Sequence, residues 1–531
     1  MTSDDSKDSL KVDEMPAKPI RHVSWHRRIA RQARWRAHWL LPNILPPPYR
    51  DETAYRDKRD RESNESSRTP EDEEVRLSVM WGMELFGPAE IELLYESLAR
   101  LKWSAGISSL ETGGALNWVR QQRAYGGEGG WYNVGIVAEH SDRQRFLLLE
   151  NYASLPSEID YLLVRIFQLT PSLTCVLVGF VLNEHETRCY EVELNRDRKT
   201  KRERSTSRWS VSNLEPEHLK RRSIDQTRSR IQNLVKRWFR ANLPGYFSSL
   251  SDNHMPTAEL VTTCARQLMS NERHEPRDIN FDWRHMLANV SLFDVWTYAK
   301  CTALRFSAKG HGFADESFHL VVTLCTSEVP DENLKYMGGR ERGSYVAYCH
   351  ELLDGILINY AGVAFLKEVS KDLKISRSDL KISSLRRRGG VHVLERIQSF
   401  FDRSLGTPAV AAELRDRSKR PGLYQHECSS FISPKWTNDE EQRDFAEVLC
   451  EQTNFLATRV ITEEHSTREH FEQLSSILSV RESIKAQRRM EWLTIVALAV
   501  AIGSLIVALN PTVDWSSQIR SYLEPFKMTG K

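Results

Sequence analysis

The sequence predicts an α+β protein that ends in one membrane-spanning helix. Apolar residues alternate over 75–85, as a strand requires, and after Gly87 and Pro88 they recur at helical spacing. A long uncharged apolar run over 492–509 is close to the length of about 20 residues that spans a bilayer. We therefore expect a folded α+β part followed by one transmembrane helix over 491–510.

The order of elements after Val75 predicts the fold of an N-terminal domain over 75–195. Beyond the first strand and helix, the patterns indicate two strands, a helix and two further strands, near 131–139, 144–150, 157–168, 173–182 and 187–194. The order β-α-β-β-α-β, with one strand added, is that of a ferredoxin-like (split βαβ) sandwich. Because this fold hosts many functions, it identifies none of them.

A second, mainly helical domain is expected over 225–437, after a basic polar segment over 196–224 that is typical of a linker. Pro256 is placed to start a helix in this domain, and a β-hairpin is expected over 295–326. Helices are predicted in it from 225, over DQTRSRIQNLVKRWF, and further on over 344–373 and 390–404.

A stalk helix is expected over 438–490, leading into the span, with a short tail over 511–531. Apolar residues keep a heptad-like spacing at both ends of the stalk, but the middle, 458–470, is polar. Self-association through a coiled coil and packing on the chain's own domain are both compatible with this pattern. Small residues four apart within the span, such as Ala499 and Gly503, also suit close approach of two helices.

Composition excludes several classes of protein. The 531 residues include 74 basic and 72 acidic side chains, so the net charge of +2 gives no strong signal for nucleic acid. Eight cysteines without a CxxC pair indicate reduced thiols in the cytosol, not a disulfide framework or a zinc site. The acidic, polar N-terminus does not have the apolar core of a signal peptide.

The charges beside the span predict its orientation. Four basic residues precede it closely, whereas one follows at comparable range: Arg481, Lys485, Arg488, Arg489 and Arg520. The positive-inside rule therefore assigns the N-terminal bulk to the cytoplasm, with the plasma or inner membrane as the expected location. Trp492 and Trp515 flank the span where interfacial aromatic residues are expected.

Residues 1–74 have the composition of a disordered region, with one distinct segment over 21–41. That segment contains six arginines, no acidic residue and several tryptophans, and it forms an amphipathic helical pattern. Binding to anionic lipid head groups would use both the basic face and the apolar face of this helix. A solvated tail and a nucleic-acid arm remain alternatives.

The segment MGGRERGSYV contains a candidate anion site, formed by Gly338, Gly339, Arg340, Arg342 and Ser344. Its glycines and serine are spaced like the ends of a phosphate-binding loop, although the lysine of that motif is missing. Exposed amides at a helix N-terminus beside two arginines could hold an anion. The alternative is that Ser344 simply caps the helix.

The segment GHGFADESFH contains a candidate metal site, with His311, Asp315 and His319 as ligands. These are ligand types that suit a divalent cation. The alternative is ordinary turn chemistry between two strands.

Three further segments do not match a catalytic motif. The glycines around Glu128 do not follow the dinucleotide-binding pattern and are more typical of a turn. CHELLDG lacks the second histidine of a zinc protease, and the adjacent His426 and Cys428 give no evidence of a catalytic pair. We therefore assign no catalytic residue, and the sequence does not identify a cofactor.

A cytoplasmic α+β domain, a long stalk helix and a nearby C-terminal span resemble the layout of CorA-type magnesium channels. That family requires a second span and a Gly-Met-Asn loop, and NPTVDWSSQIRSYLEPFKMTGK contains neither. The leading hypothesis is a single-pass, membrane-anchored binding or scaffold protein. An anchored enzyme acting on a phosphate-bearing substrate and an oligomeric, channel-like protein with one span per subunit are the alternatives.

Overall fold

The computed structural model describes residues 25–40, 50–104, 114–142, 151–204, 211–250, 255–269, 282–288, 295–308, 318–379, 398, 406–434 and 441–509. These residues form 14 helices and 11 strands, and nine of the strands belong to one sheet. The chain divides into two compact units, which are described in turn.

The first unit comprises Met1–Arg76, Arg188–Ser229 and His274–Asn289. Its described elements are α1 (Trp25–Leu40), α2 (Arg50–Ser66), α6 (Cys189–Asn195), β5 (Lys201–Arg204), β6 (Val211–Leu214), the N-terminal part of α7 (Pro216–Asn242) and α9 (Trp283–Leu287). β5 and β6 form a separate antiparallel pair.

Polar contacts hold α2 in this unit. The side chain of Asn64 donates to the Arg198 carbonyl at 2.7 Å and accepts from the Arg198 N–H at 2.9 Å. Asp60 accepts from the Thr200 N–H at 3.0 Å. The buried ammonium of Lys220 donates to the hydroxyl of Ser67 at 3.0 Å, and burial lowers the pKa of Lys220 to about 8. The highly charged α2 is thus fixed by hydrogen bonds, as buried polar groups require.

The second unit comprises Leu77–Thr187, Arg230–Arg273 and Val290–Lys531, and it contains the nine-stranded sheet. The strands are β1 (Val75–Phe86), β2 (Gly130–Val137), β3 (Ile159–Thr170), β4 (Leu173–Leu182), β7 (Thr257–Thr263), β8 (Val295–Tyr298), β9 (Leu304–Ser307), β10 (His319–Cys325) and β11 (Phe431–Ile432). Their order is β11-β8-β9-β10-β7-β1-β4-β3-β2, and the sheet is mostly antiparallel. β7 and β10 form a parallel pair.

The central strands are buried on both faces. Every residue of β4, LTCVLVGFVL, is buried, as is every residue of β7. Strands that are covered on both sides are continuous apolar or β-branched runs, because neither face of such a strand is exposed to solvent. The position of these strands therefore follows from their composition.

Helices cover both faces of the sheet. On one face, Gly82 of β1 lies against Val235 and Phe239 of α7, and an added Cβ would approach the Val235 methyl to 2.6 Å. On the other face, α11 (Arg342–Asp379) packs on β3 and β4, and α12 (Thr407–Ser418) packs on β3. The remaining helices of this unit are α3 (Ile91–Leu101), α4 (Ala115–Ala124), α5 (Glu184–Thr187), α8 (Tyr246–Ser249), α10 (Asp331–Leu334) and α13 (Pro421–Glu427).

The last described element is α14, a single helix of 65 residues over Phe445–Leu509. Its first part packs on α11, α12 and α13, with buried side chains as far as Leu478. From residue 479 to residue 509 every side chain is exposed. The predicted helix over the stalk and the apolar segment is confirmed from residue 445 onward, and its apolar end is long enough to cross a membrane.

The ferredoxin-like arrangement is not confirmed. Residues 157–168, predicted as a helix, belong mainly to β3, which pairs with β2 and β4. Residues 187–194, predicted as a strand, lie largely in α6, where Tyr190 and Leu194 are buried four residues apart. In both segments the apolar residues fit periods of 2 and of 3.6, and tertiary partners decide between them.

Several predictions for 225–437 also need correction. Pro256 precedes strand β7 and does not start a helix. The hairpin over 295–326 is a three-stranded meander, because its first arm divides into β8 and β9 before β10. These strands join the sheet that contains β1 to β4, so both predicted domains contribute to one sheet. Helix α11 confirms the helix predicted over 344–373.

Several other predictions concern segments that lie wholly or partly outside the described residues. The strand near 144–150, nearly all of the helix over 390–404 and the tail over 511–531 lie outside the described residues. Disorder over 1–74 is not confirmed, since the described part forms α1, α2 and the segment that leads into β1. The described residues of the predicted linker, 196–224, contribute β5, β6 and the start of α7.

Two buried ionisable groups near the sheet have displaced pKa values. Glu84 accepts hydrogen bonds from the backbone N–H groups of Phe247 and Ser248 at 2.7 and 2.8 Å. Burial nevertheless raises the pKa of Glu84 to about 7. His350 accepts from the indole N–H of Trp81 at 3.0 Å, and burial lowers the pKa of His350 to about 3. Both shifts favour the neutral form.

The two groups make opposite contributions to pH-dependent stability. A raised carboxyl pKa means that the folded state binds the proton more tightly, so Glu84 lowers the free energy of unfolding as pH rises from about 4.5 to about 7. His350 lowers the free energy of unfolding as pH falls from about 6.5 to about 3.

We predict that Glu84→Gln removes the contribution of Glu84 to this pH dependence, which amounts to at most about 3 kcal/mol in the free energy of unfolding.

The measurement is the denaturation midpoint of the detergent-solubilised protein between pH 4.5 and pH 7, compared between wild type and Glu84→Gln. The exposed Glu96→Gln serves as the control and should follow the wild type at each pH. A constant difference between Glu84→Gln and wild type across this window would contradict the prediction.

Candidate functional site

A cleft of about 400 Å³ lies in the second unit, where the edge of the sheet meets three helices. Its walls come from residues 129–131 at the turn into β2, residues 165 and 167–169 of β3, the first half of α11, and α12 with α13. Small-molecule sites in proteins are commonly about 300–1,000 Å³ in volume. The cleft is therefore the candidate functional site.

One wall carries an arginine held by two acids. Arg165 of β3 forms an ion pair with Asp354 of α11, and a second guanidinium nitrogen lies 3.8 Å from a Glu351 carboxylate oxygen. Trp131 on the neighbouring strand lies beside Arg165, with 5.6 Å between the guanidinium carbon and the ring centroid. Burial raises the pKa of Asp354, while the adjacent Arg165 acts in the opposite direction.

Another part of the lining contains a fully buried arginine. Arg417 of α12 forms an ion pair with Glu427 of α13 and donates to the Leu169 carbonyl at 3.1 Å. Its Nη1 also lies 3.5 Å from Glu128, which accepts from Arg420 at 2.5 Å. These contacts join the glycine-rich turn around Glu128 to the helices behind the cleft.

Two glycines permit the close approach of these elements. Gly129 has φ +74°, a conformation that L side chains rarely adopt, and its N–H donates to the Gln168 carbonyl at 2.8 Å. Gly355 of α11 lies against the backbone of Glu427, and an added Cβ would lie 2.7 Å from the Glu427 carbonyl carbon. Glycine at these positions lets the turn and α13 reach the cleft.

The charges in the cleft are not balanced by its own ion pairs. The lining has three carboxylates, on Glu351, Asp354 and Glu427, against the guanidinium groups of Arg165 and Arg417. The Nε atom of each arginine is buried and has no hydrogen-bond partner among the described residues. A buried donor without an acceptor costs about 1–3 kcal/mol, so both guanidinium groups are held at some cost to stability.

Two cysteines near the cleft are buried in surroundings that keep the thiol protonated. Burial raises the pKa of the Cys428 thiol, which accepts from the Asn359 amide at 3.7 Å. Burial likewise raises the pKa of Cys349. Neutral, desolvated thiols are poor nucleophiles.

The predicted anion site lies elsewhere, at the start of α11. Gly338 and Gly339 have positive φ values, and the hydroxyl of Ser344 donates to the Met337 carbonyl at 2.6 Å. Arg340 pairs with Asp331 at 2.7 Å, and Arg342 lies 3.3 Å from Glu184 and 3.6 Å from Asp160. The two arginines thus already have acidic neighbours, and anion binding there stays a prediction.

Of the predicted metal ligands, His311 and Asp315 lie outside the described residues, and His319 lies in β10. The side chain of His319 contacts the Thr257 hydroxyl at 2.9 Å, and its Nε2 is 3.5 Å from Glu259. Within the described part of the chain, no three His, Cys, Asp or Glu side chains are grouped to hold a metal ion.

The residues predicted to flank the membrane are on α14, apart from Trp515, which lies outside the described residues. Arg488, Arg489 and Trp492 follow one another at the start of the apolar segment, and all three are exposed.

Sequence reasoning examined segments of this cleft but did not connect them. The glycine-rich turn at Glu128, the segment CHELLDG and the residues around His426 each failed a known motif when considered alone. The structure brings all three to one cleft. In these three segments the concentration of glycines and charged residues in otherwise apolar surroundings could have indicated a site. No local sequence pattern marked Arg165 or Arg417.

Comparison with known proteins does not assign a function to the cleft. No protein-family model matches the chain, and neither a curated protein nor a solved structure has significant similarity to it.

We predict that Gly355→Ala destabilises the second unit by about 1–3 kcal/mol, because the methyl group must push α11 and α13 apart. Denaturation midpoints in detergent measure the effect. Gly422→Ala in α13 is the matched control, since an added Cβ there meets nothing within 4 Å. Equal shifts of the midpoint for the two variants would contradict this account of the cleft wall.

Proposed function

We propose that the protein is a single-pass, membrane-anchored binding or scaffold protein with its N-terminal bulk in the cytoplasm. The observation that carries the proposal is the exposed apolar end of α14. A folded unit that binds a ligand in its cleft would thereby be held at a membrane surface.

The burial of α14 supports an anchor over a core helix. The most apolar 18-residue window of α14 has a mean hydropathy of 2.5, and none of it is buried against the described parts of the chain. Large side chains such as Leu498, Val500 and Leu505 are about 60% exposed. Continuous exposed apolar surface of this kind is stable in lipid and not in water.

The basic residues before the apolar segment support the proposed orientation. Arg481, Lys485, Arg488 and Arg489 are exposed on the helix before Trp492. Basic residues within about 15–20 positions of a span favour the cytoplasmic side. The plasma or inner membrane is the proposed location.

Two further elements extend the proposal. The arginine-rich helix α1 exposes Trp25, Ile29 and Trp35, and this supports contact with anionic lipid head groups. Vesicle flotation with and without anionic lipid tests this contact.

Small residues four apart in the proposed span, such as Ala499 and Gly503, support a homo-oligomer. Crosslinking in membranes tests this self-association.

The alternatives remain an anchored enzyme acting on a phosphate-bearing substrate and an oligomeric, channel-like protein. The acidic neighbours of Arg340 and Arg342 favour the binding role over phosphate chemistry at the start of α11. Thermal-shift screening with nucleotides and phosphorylated metabolites tests the enzyme, and a strictly monomeric protein in membranes would exclude the channel.

We predict that Val500→Arg, near the middle of the apolar segment, moves the protein from the alkali-resistant membrane fraction to the soluble or aggregated fraction. An arginine at the centre of a span costs about 2.5–3.5 kcal/mol in insertion. Val480→Arg is the matched control, because Val480 is also an exposed valine of α14 but precedes the apolar segment. Equal membrane retention of Val500→Arg and wild type would contradict the anchor.

We predict that a membrane-impermeant maleimide labels a Ser521→Cys tail in intact cells, whereas the exposed native Cys264 is labelled only after permeabilisation. Cys264→Ser identifies the signal of the native thiol, since Cys175, Cys325 and Cys349 are buried. Labelling of Cys264 in intact cells, with a protected tail, would reverse the proposed orientation.

A further inference from the structure

The part of α14 that precedes the apolar segment carries two apolar stripes, and one of them is buried by the chain itself. Phe471, Leu474 and Leu478, at spacings of three and four residues, are at most 3% exposed. They continue the buried side with which α14 packs on the rest of its unit. This first stripe therefore already has its partner.

The second stripe, which we call the stalk stripe, consists of Ile477, Val480 and Ile484. These side chains are 60, 56 and 48% exposed, and no described part of the chain covers them. Helical residues advance by about 100° each, so the stalk stripe lies roughly 120° around the helix from the buried stripe. Spacings of three and four residues are those of a coiled-coil seam.

The membrane surface is too far away to cover the stalk stripe. Ile477 and Val480 precede Trp492, the start of the apolar segment, by about three to four helical turns, or roughly 18–22 Å. The head-group layer on each side of a bilayer is only about 5–8 Å thick. A helix tilt of about 40° shortens the height by only about a quarter. The stripe therefore lies in water, where an apolar surface gains from a protein partner.

A second copy of the same chain fits this surface. Spans that share one membrane and one orientation hold their chains parallel, with each stripe at the height of the same stripe in the copy. In a parallel pair, each flank of the seam faces the opposite flank of the partner. The flanks are Ser476 and Ser483 on one side and Arg481 and Arg488 on the other. Serines therefore face arginines, and like charges do not meet across the seam.

The small size of the stalk stripe requires the membrane as well. Specific complexes in solution bury about 1,200–2,000 Å² in total, which three side chains from each copy do not supply. Anchoring in one membrane raises the effective concentration of the two stripes without any new contact. Pairing is therefore expected in the membrane.

We infer that two copies of the chain pair in parallel along the stalk stripe, a short distance from the membrane surface. The inference rests on the proposed membrane anchor, because the span sets the common height and orientation of the two copies. It names the surface outside the span through which the proposed homo-oligomer forms.

The test is crosslinking of the full-length protein in its own membranes with a short bis-maleimide. The background is Cys264→Ser, which removes an exposed native thiol. Single cysteines replace each residue of the stalk stripe in turn. Ser479→Cys and Ala486→Cys are the matched controls, because both positions are exposed at similar heights on other sides of the helix. We expect about fivefold more crosslinked dimer from the stripe than from the controls, since identical residues face each other at a parallel seam.

A charge placed in the stripe gives a second measurement. Val480→Arg, combined with Ile484→Cys, should reduce the crosslinked dimer roughly tenfold, because it brings two like charges together at the seam. Ser479→Arg is the control and should leave the amount of dimer unchanged. Since Val480 is exposed in the single chain, the denaturation midpoint of Val480→Arg in detergent should equal that of the wild type.

Three results would overturn the inference: equal crosslinking at stripe and control positions, a crosslinked product whose mass is not twice that of the chain, or a dimer that Val480→Arg does not reduce. Failure of the anchor is a separate result, because membrane extraction of Val500→Arg measures it. A chain that stays in the membrane without a stripe-specific dimer retains the anchor and loses only this interface.

Discussion

The buried guanidinium of Arg417 is the interaction on which the arrangement of the cleft depends. An isolated ion in the protein interior costs several kcal/mol, and removing one partner of a buried pair typically costs about 3–5 kcal/mol. Arg417 therefore requires Glu427, the Leu169 carbonyl and the nearby Glu128 at the same time. Those partners belong to α13, β3 and the turn before β2, so one side chain fixes four segments in relation to one another.

The same dependence explains what the sequence could and could not predict. β1 was recognisable from its alternation, β4 from its continuous apolar run, and α11 and α14 from their length. β3, α6 and β7 were assigned wrongly because their apolar patterns fit both periods, and the partners that decide between the periods are distant in sequence. The cleft needed Glu128, Arg165, Asp354 and Arg417 together, and no local pattern connects positions that are hundreds of residues apart.

Helix α14 meets two different environments without interruption. It contains no proline, and its first glycine is Gly503, so nothing in its sequence breaks the hydrogen-bond ladder before the apolar segment. At about 1.5 Å per residue, its 65 residues extend for roughly 100 Å. Its first part is stabilised by buried contacts with α11 and α12, whereas the apolar residues at its end are exposed and have no buried contact within the described parts of the chain.

The packing of α14 connects the proposed anchor to the cleft. The thiol of Cys450 in α14 donates to the Ser418 carbonyl at 3.0 Å, directly after Arg417, and α13 packs on α14 as well. Because buried side chains fix the rotation of α14 against α12, a rotation of the span about its axis must displace Ser418 or break these contacts. The rotation of α14 is therefore coupled to the positions of α12 and α13 beside the cleft. The proposed anchor and the cleft are thus connected through one packed helix.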